Sequence, residues 1–171
     1  MIGLGLLSAR LVFGLTMAAH GAQKLFGWFG GHGLRATSAG FESIGFRPGR
    51  FYASAAGLVE FVSGLLMALG LFGPVGPALM VSVMIVAAVI GHWKNGFFAP
   101  TGIELNLLFG GTGFALALAG SGAFALDRWL GLESLRSASV AGVALAVSAI
   151  GALVVISAHR PPPQSAVASK R

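Results

Sequence analysis

Two charged side chains, Arg10 and Glu60, lie inside long apolar runs. A charge within hydrocarbon costs about 2.5–3.5 kcal/mol on insertion scales, so each needs a partner or a polar cavity. Arg10 falls about a third of the way along the first run and Glu60 near the middle of the second. If those runs are antiparallel helices, the axial gap is about 7 Å at 1.5 Å per residue, which an arginine can largely span. The pair is therefore expected to point inward as an intramembrane charge pair, either fixing two helices together or serving function.

A second group gathers at the ends of runs. His20, Gln23 and Lys24 are spaced i, i+3, i+4 and share one helical face. His92 and Lys94 close the third run, and Glu104 and Asn106 open the fourth. Antiparallel alternation brings these three ends to one membrane face. Imidazoles, a carboxylate, amides and ammonium groups together can hydrogen-bond a quinone carbonyl or relay its protons. His20, Gln23, Lys24, His92, Glu104 and Asn106 are thus the candidate ligand-binding or proton-relay set, with Phe26 and Trp28 as an apolar wall. The competing reading is interfacial anchoring and helix capping. No catalytic residue can be singled out.

The elements that must position these residues are membrane helices. The chain has 171 residues, 56% hydrophobic and 9% charged, too little charge to clothe a soluble domain of this length. Apolar runs cover about 2–22, 51–72, 75–93, 103–120 and 139–158. Each is near the ~20 residues that cross ~30 Å of hydrocarbon as a helix, and lipid admits only helices or closed barrels. The expected fold is all-α, a polytopic membrane helix bundle of five crossings, with the lipid bilayer as its first partner. The first run does not read as a signal peptide, because no basic residue precedes it and Arg10 interrupts it.

Connections separate the runs. Residues 24–50 hold glycines at 27, 30, 31 and 33 that permit a folded or re-entrant backbone. Small residues four apart, Ala53 and Gly57, Gly64 and Ala68, Gly113 and Ala117, Gly142 and Ala146, let helices approach closely. Such pairs serve internal packing or a homo-oligomer, and internal packing is the preferred reading. Residues 159–171 form a Pro/Ser/Ala-rich basic tail expected to be disordered.

Composition narrows the chemistry. The chain contains no cysteine, which excludes disulfides, thiolate-bound iron–sulfur or zinc, and covalent c-type haem. No metal site is expected. A haem between His20 and His92 is conceivable, but paired histidines near an interface more often anchor or exchange protons. The net charge of +6 resides at the edges of apolar runs, not on a basic helix, so nucleic acid is not an expected partner.

The blocks HGAQKLFGWFGG at 20–31, GLVEFVSGLLMALGLF at 57–72 and GIELNLLFGGTGFALALAGSGAFALDRWLG at 102–131 resemble the DoxX family of small membrane proteins. The resemblance covers roughly residues 4–131. It implies a four-helix core over 1–131, extended here by a linker and fifth helix over 132–158 and the tail over 159–171. It also implies His20, Gly21, Lys24, Phe26, Gly27, Glu60, Gly64, Glu104, Asn106 and Asp127 as motif positions, without a mechanism. By the same resemblance, the chain is expected to be a membrane subunit or partner of a quinone-linked redox system, with quinone as a possible bound cofactor and a separate redox protein as partner. The alternatives are a scaffold recruiting a soluble oxidative-stress or sulfur-metabolism protein, or a small-molecule carrier using Arg10 and Glu60.

Five crossings place Lys24, Arg35, Arg47, Arg50, Lys94, Arg160, Lys170 and Arg171 on one side and Arg128 and Arg136 on the other. The positive-inside rule then predicts an outside N-terminus and an inside C-terminus in the cell membrane. Reporters active on only one side of a membrane, fused at residue 165 and within 121–138, should report inside and outside respectively; the reverse pattern would refute the orientation.

Overall fold

A computed structural model describes residues 1–161. It is helical, with α1 (Ile2–Phe26), α2 (Gly33–Ser43), α3 (Gly49–Leu69), α4 (Val75–Val86), α5 (Glu104–Ala119), α6 (Leu126–Trp129) and α7 (Ala138–Ser157). α4 continues without a break through a π-helical stretch, Ala87–His92, and a 3-10 turn, Trp93–Asn95. α1, α3, the continuous Val75–Asn95 helix and α7 are long and apolar enough to cross a membrane. α5 is shorter, with 16 residues or roughly 24 Å of helix. It nevertheless runs from the His92 end of the bundle to the Arg10 end.

Punctuation in the sequence sets the helix ends. α1 stops where Gly27 turns left-handed at φ 74, with its N–H on the carbonyl of Gln23. Pro48 precedes α3 and Pro74 precedes α4, positions where no intrahelical N–H is lost. Ser137 caps α7 by accepting from the Val140 N–H at 3.3 Å.

α1 packs most extensively on α3, α3 on α4, and α4 on both α5 and α7. The α1–α3 crossing is close because small residues meet there. A Cβ on Gly14 would come within 2.7 Å of the Gly64 carbonyl and the Ala68 nitrogen, so neither backbone could stay in place. Gly21 meets the backbone of Gly57 and Phe61 in the same way. Of the small-residue pairs, those at 53/57, 64/68 and 113/117 are buried within the bundle. Gly142 and Ala146 face outward, and a Cβ on Gly142 would meet nothing, so this pair takes no part in internal packing. Met17, Met67, Met80 and Leu116 fill the centre between the helices.

Two faces result. At the N-terminal face, Asp127 is fully buried and accepts from the N–H groups of Phe72 at 2.8 Å and Gly73 at 2.6 Å. Its own N–H donates to Gly70, so the α6 segment is sewn to the α3–α4 turn. At the C-terminal face, the Arg160 N–H donates to the Gly45 carbonyl at 3.1 Å. His159 Nε2 lies 2.7 Å from the Ile44 carbonyl. The first residues of the expected disordered tail, His159 and Arg160, are therefore held in place, and 162–171 lie outside the described residues.

Three expectations need correction. α1 runs four residues beyond 22, which carries Lys24 into the helix. Residues 33–43, read as part of a connection, form α2, which lies against α3 and α1. Its apolar residues are too few to register as an apolar run.

The third correction concerns Arg10 and Glu60, which do not pair. Both point inward and both are 3% exposed. The α1–α3 contacts at Gly14 and Gly21 place Glu60 level with residue 20 or 21 of α1, roughly 16 Å from Arg10 along the axis. Arg10 instead caps the end of α3. Its guanidinium donates to the carbonyls of Met67 at 3.1 Å, Ala68 at 3.1 Å and Phe124 at 3.3 Å, and to that of Ser121. The Met67 carbonyl also accepts from the Gly70 N–H at 3.1 Å, whereas the last turn of α3 otherwise leaves carbonyls open, and a cation is favoured at that end of the helix dipole.

Candidate functional site

Glu60 pairs with Lys24, which reaches it from one α1 turn nearer the C-terminal face. The carboxylate is almost completely buried, whereas the lysine side chain keeps 32% of its surface exposed. The lysine satisfies Glu60 Oε1 only. Among the described residues Oε2 is buried with no hydrogen-bond partner. A buried acceptor left open on a charged group is costly.

Both residues line a cavity of about 300 Å³. Its walls are apolar: Ala55, Ala56 and Val59 of α3, Val83 and Val86 of α4, Ala87 and Ile90 of the π stretch, and Val155 of α7. Phe41 of α2, Ile44 and Phe46 of the turn that follows it, and Tyr52 in the first turn of α3 close the remaining side. The α3–α4 register puts Ser82 opposite Glu60 at the deep end, because Gly76 packs on Ser63 and Met67. Tyr52 lies eight residues from Glu60 towards the C-terminal face, roughly 12 Å along the axis. His92 borders the same shallow end. The cavity is thus a long apolar slot with an ion pair at depth and an imidazole and a phenol nearer the surface.

His92 is held in place by its backbone surroundings. Its Nδ1 lies 2.7 Å from the Thr101 carbonyl. A carbonyl only accepts, so Nδ1 carries a proton and, in the neutral ring, Nε2 is the acceptor. Asn95 Nδ2 donates to the same carbonyl at 3.2 Å and to that of Gly91 at 3.1 Å. The π stretch contributes Ala87, Ile90, Gly91 and His92 to the lining, and such widened turns recur at functional sites.

Of the six residues expected to converge, the structure brings only Lys24 and His92 to the cavity. His20 is on the outer surface, with its ring edge-on to Phe109 at 6.2 Å. Gln23 donates to the Phe29 carbonyl at 3.1 Å and braces the turn after α1. Glu104 accepts from the Ala99 N–H at 2.9 Å and fixes the 96–104 connection. Asn106 is buried between α4 and α5, with Nδ2 3.8 Å from Met84 Sδ and Oδ1 unpartnered among the described residues. Phe26 and Trp28 lie 5.1 Å apart, tilted at 42°, as an exposed ledge and are not a cavity wall. The expected pocket between the ends of α1, α4 and α5 therefore gives way to one among α2, α3, α4 and α7. Helix spacing could identify the shared face of His20 and Lys24, but not which neighbour each would meet.

A family model for DoxX matches residues 5–93. That is more than half of the chain, and it takes in Lys24, Glu60, His92 and every cavity-lining residue except Val155. The chain belongs to the DoxX family. No curated protein and no solved structure matches it. The matched segment ends at the α4 extension, so the likeness read over 102–131 stands on the sequence blocks alone. As a DoxX protein this chain is a small multi-pass membrane protein, and the site described above lies almost wholly within its family segment.

The Lys24–Glu60 pair makes a direct prediction. Lys24→Met leaves the Glu60 charge buried and alone, costing on the order of 3 kcal/mol. The double variant with Glu60→Gln removes that charge and should recover part of the loss. Unfolding midpoints in one detergent measure this, and equal midpoints for wild type and Lys24→Met would show that the pair contributes nothing.

Proposed function

We propose that this DoxX protein is the membrane subunit of a quinone-linked redox system and holds the quinone headgroup in the α2–α3–α4–α7 cavity. The observation that carries the reading is the deep end of the slot, where a lysine donor stands beside a carboxylate oxygen without a partner. Lys24 Nζ can donate to a quinone oxygen, and Glu60 Oε2 can accept from the hydroxyl of a quinol. Bound there, the quinone supplies two-electron redox capacity. The chain's own residues bind and orient it, exclude water and hold a proton at Glu60. A volume near 300 Å³ with apolar walls suits a ring and the first part of a lipid tail.

Electrons would come from a partner oxidoreductase. The C-terminal face offers it a basic surface carrying Arg35, Arg47, Arg50 and Lys94, and the lysine and arginine asymmetry supports placing that face inside the cell. The same surface supports the scaffold reading, in which the soluble partner binds and the cavity stays a packing feature. The carrier reading relied on Arg10 and Glu60 acting together, and the helix register keeps them apart.

Quinone retained through purification in mild detergent separates these readings. Lys24→Met/Glu60→Gln, which leaves no unpaired charge, should retain about tenfold less quinone than wild type, the equivalent of roughly 1.4 kcal/mol. His20→Ala, outside the cavity, should retain as much as wild type. Equal retention in all three would leave the scaffold reading.

A further inference from the structure

A second recess, of about 520 Å³, opens at the C-terminal face where the end of α7 meets the turn between α2 and α3. It is lined by Gly45, Arg47, Tyr52, Ser157, Ala158, Arg160 and Pro161. Two arginines therefore border one hollow at the level where helices leave hydrocarbon. Among the described residues neither guanidinium has a carboxylate partner, since the only salt bridge there is Lys24–Glu60. The nearest acid in sequence on α2, Glu42, accepts from the Gly49 N–H at 3.1 Å and lies beyond salt-bridge reach of both arginines.

The recess is built rather than incidental. Gly45 sits at φ +104, and a Cβ there would run into the carbonyl of Arg160. Only glycine lets the two strands of backbone close, through the Arg160 N–H to the Gly45 carbonyl at 3.1 Å. His159 Nε2 on the Ile44 carbonyl, at 2.7 Å, and the His159 ring 5.2 Å from Phe46 complete the clasp. Both arginines are thereby carried to the edge of the hollow on a backbone fixed by these contacts.

We infer that this recess binds the phosphate of an anionic phospholipid. Arginine pairs offer forked donors that match phosphate oxygens, and basic hollows between membrane helices at the headgroup level hold anionic headgroups. Its position favours a lipid over a free anion. The outer face of α7 carries exposed Ile150, Leu153 and Val154 just before Ser157 and Ala158 of the recess, so a headgroup on Arg47 and Arg160 has apolar helix surface beside it for its chains. The site is separate from Lys24 and Glu60 and does not depend on quinone binding.

Native mass spectrometry of the full chain, released from micelles holding phosphatidylglycerol and phosphatidylcholine in equal amounts, tests the inference. Wild type should keep phosphatidylglycerol in preference to phosphatidylcholine. Arg47→Gln/Arg160→Gln should lower the phosphatidylglycerol adduct about tenfold, as expected for loss of charge-assisted hydrogen bonds. Arg128→Gln/Arg136→Gln, which removes the same charge from the opposite face, should leave it unchanged. If the double variant at the recess fails to fold, Arg47→Gln alone alters one exposed side chain and should still lower the adduct. Equal retention of the two lipids, an equal fall in both double variants, or displacement by excess inorganic phosphate would each overturn the assignment, the last by making the ligand a free anion.

Discussion

The close crossing of α1 and α3 is the constraint on which the rest depends. Gly14 and Gly21 on one helix, with Gly57 and Gly64 on the other, let the two backbones touch and so fix their register. That register decides which charges meet. It puts Arg10 at the end of α3, where four carbonyls take up its guanidinium, and Lys24 beside Glu60. A charge in lipid is tolerated only when it is satisfied inside the bundle, so a shift of one turn would strand both. The buried charges and the glycine contacts therefore specify the same arrangement.

The two ionic sites differ in how fully they are satisfied. Arg10 spends its donors on backbone groups at the N-terminal face, next to the turn that Asp127 holds with 2.6 and 2.8 Å hydrogen bonds. That cluster is a structural lock, and nothing in it is left over for chemistry. Glu60 retains an open oxygen in an apolar slot. A protein that needed only stability could have placed an apolar residue of similar size there. The open oxygen, the widened helical turn and the fixed His92 ring all border one volume, which distinguishes this region from the rest of the bundle.

Much of the architecture was legible because lipid imposes length. All five apolar runs became helices with ends displaced by a few residues, four of them long enough to cross a membrane and the fifth, α5, a shorter helix of 16 residues. Inward-pointing Arg10 and Glu60 followed from the cost of a charge in hydrocarbon. Their partners did not, because an axial estimate from run boundaries missed the register that Gly14 and Gly21 set. The 33–43 helix escaped because its face against α3 is only partly apolar. The cavity depends on that helix and on Tyr52, Phe46 and Val155, residues far apart in sequence whose types carry no motif. His20 and Glu104 illustrate the opposite failure: spacing marked them as chemistry, but one faces outward and the other caps a loop.

The central claim is that a quinone ring occupies the slot ending at Lys24 and Glu60. A photoreactive quinone analogue, activated on the protein in lipid nanodiscs and followed by peptide mapping, tests it most directly. The account predicts labelling within 44–60 and 82–92, prevented by excess unmodified quinone. Labelling spread over the outward faces of α5 and α7, insensitive to that competition, would contradict it.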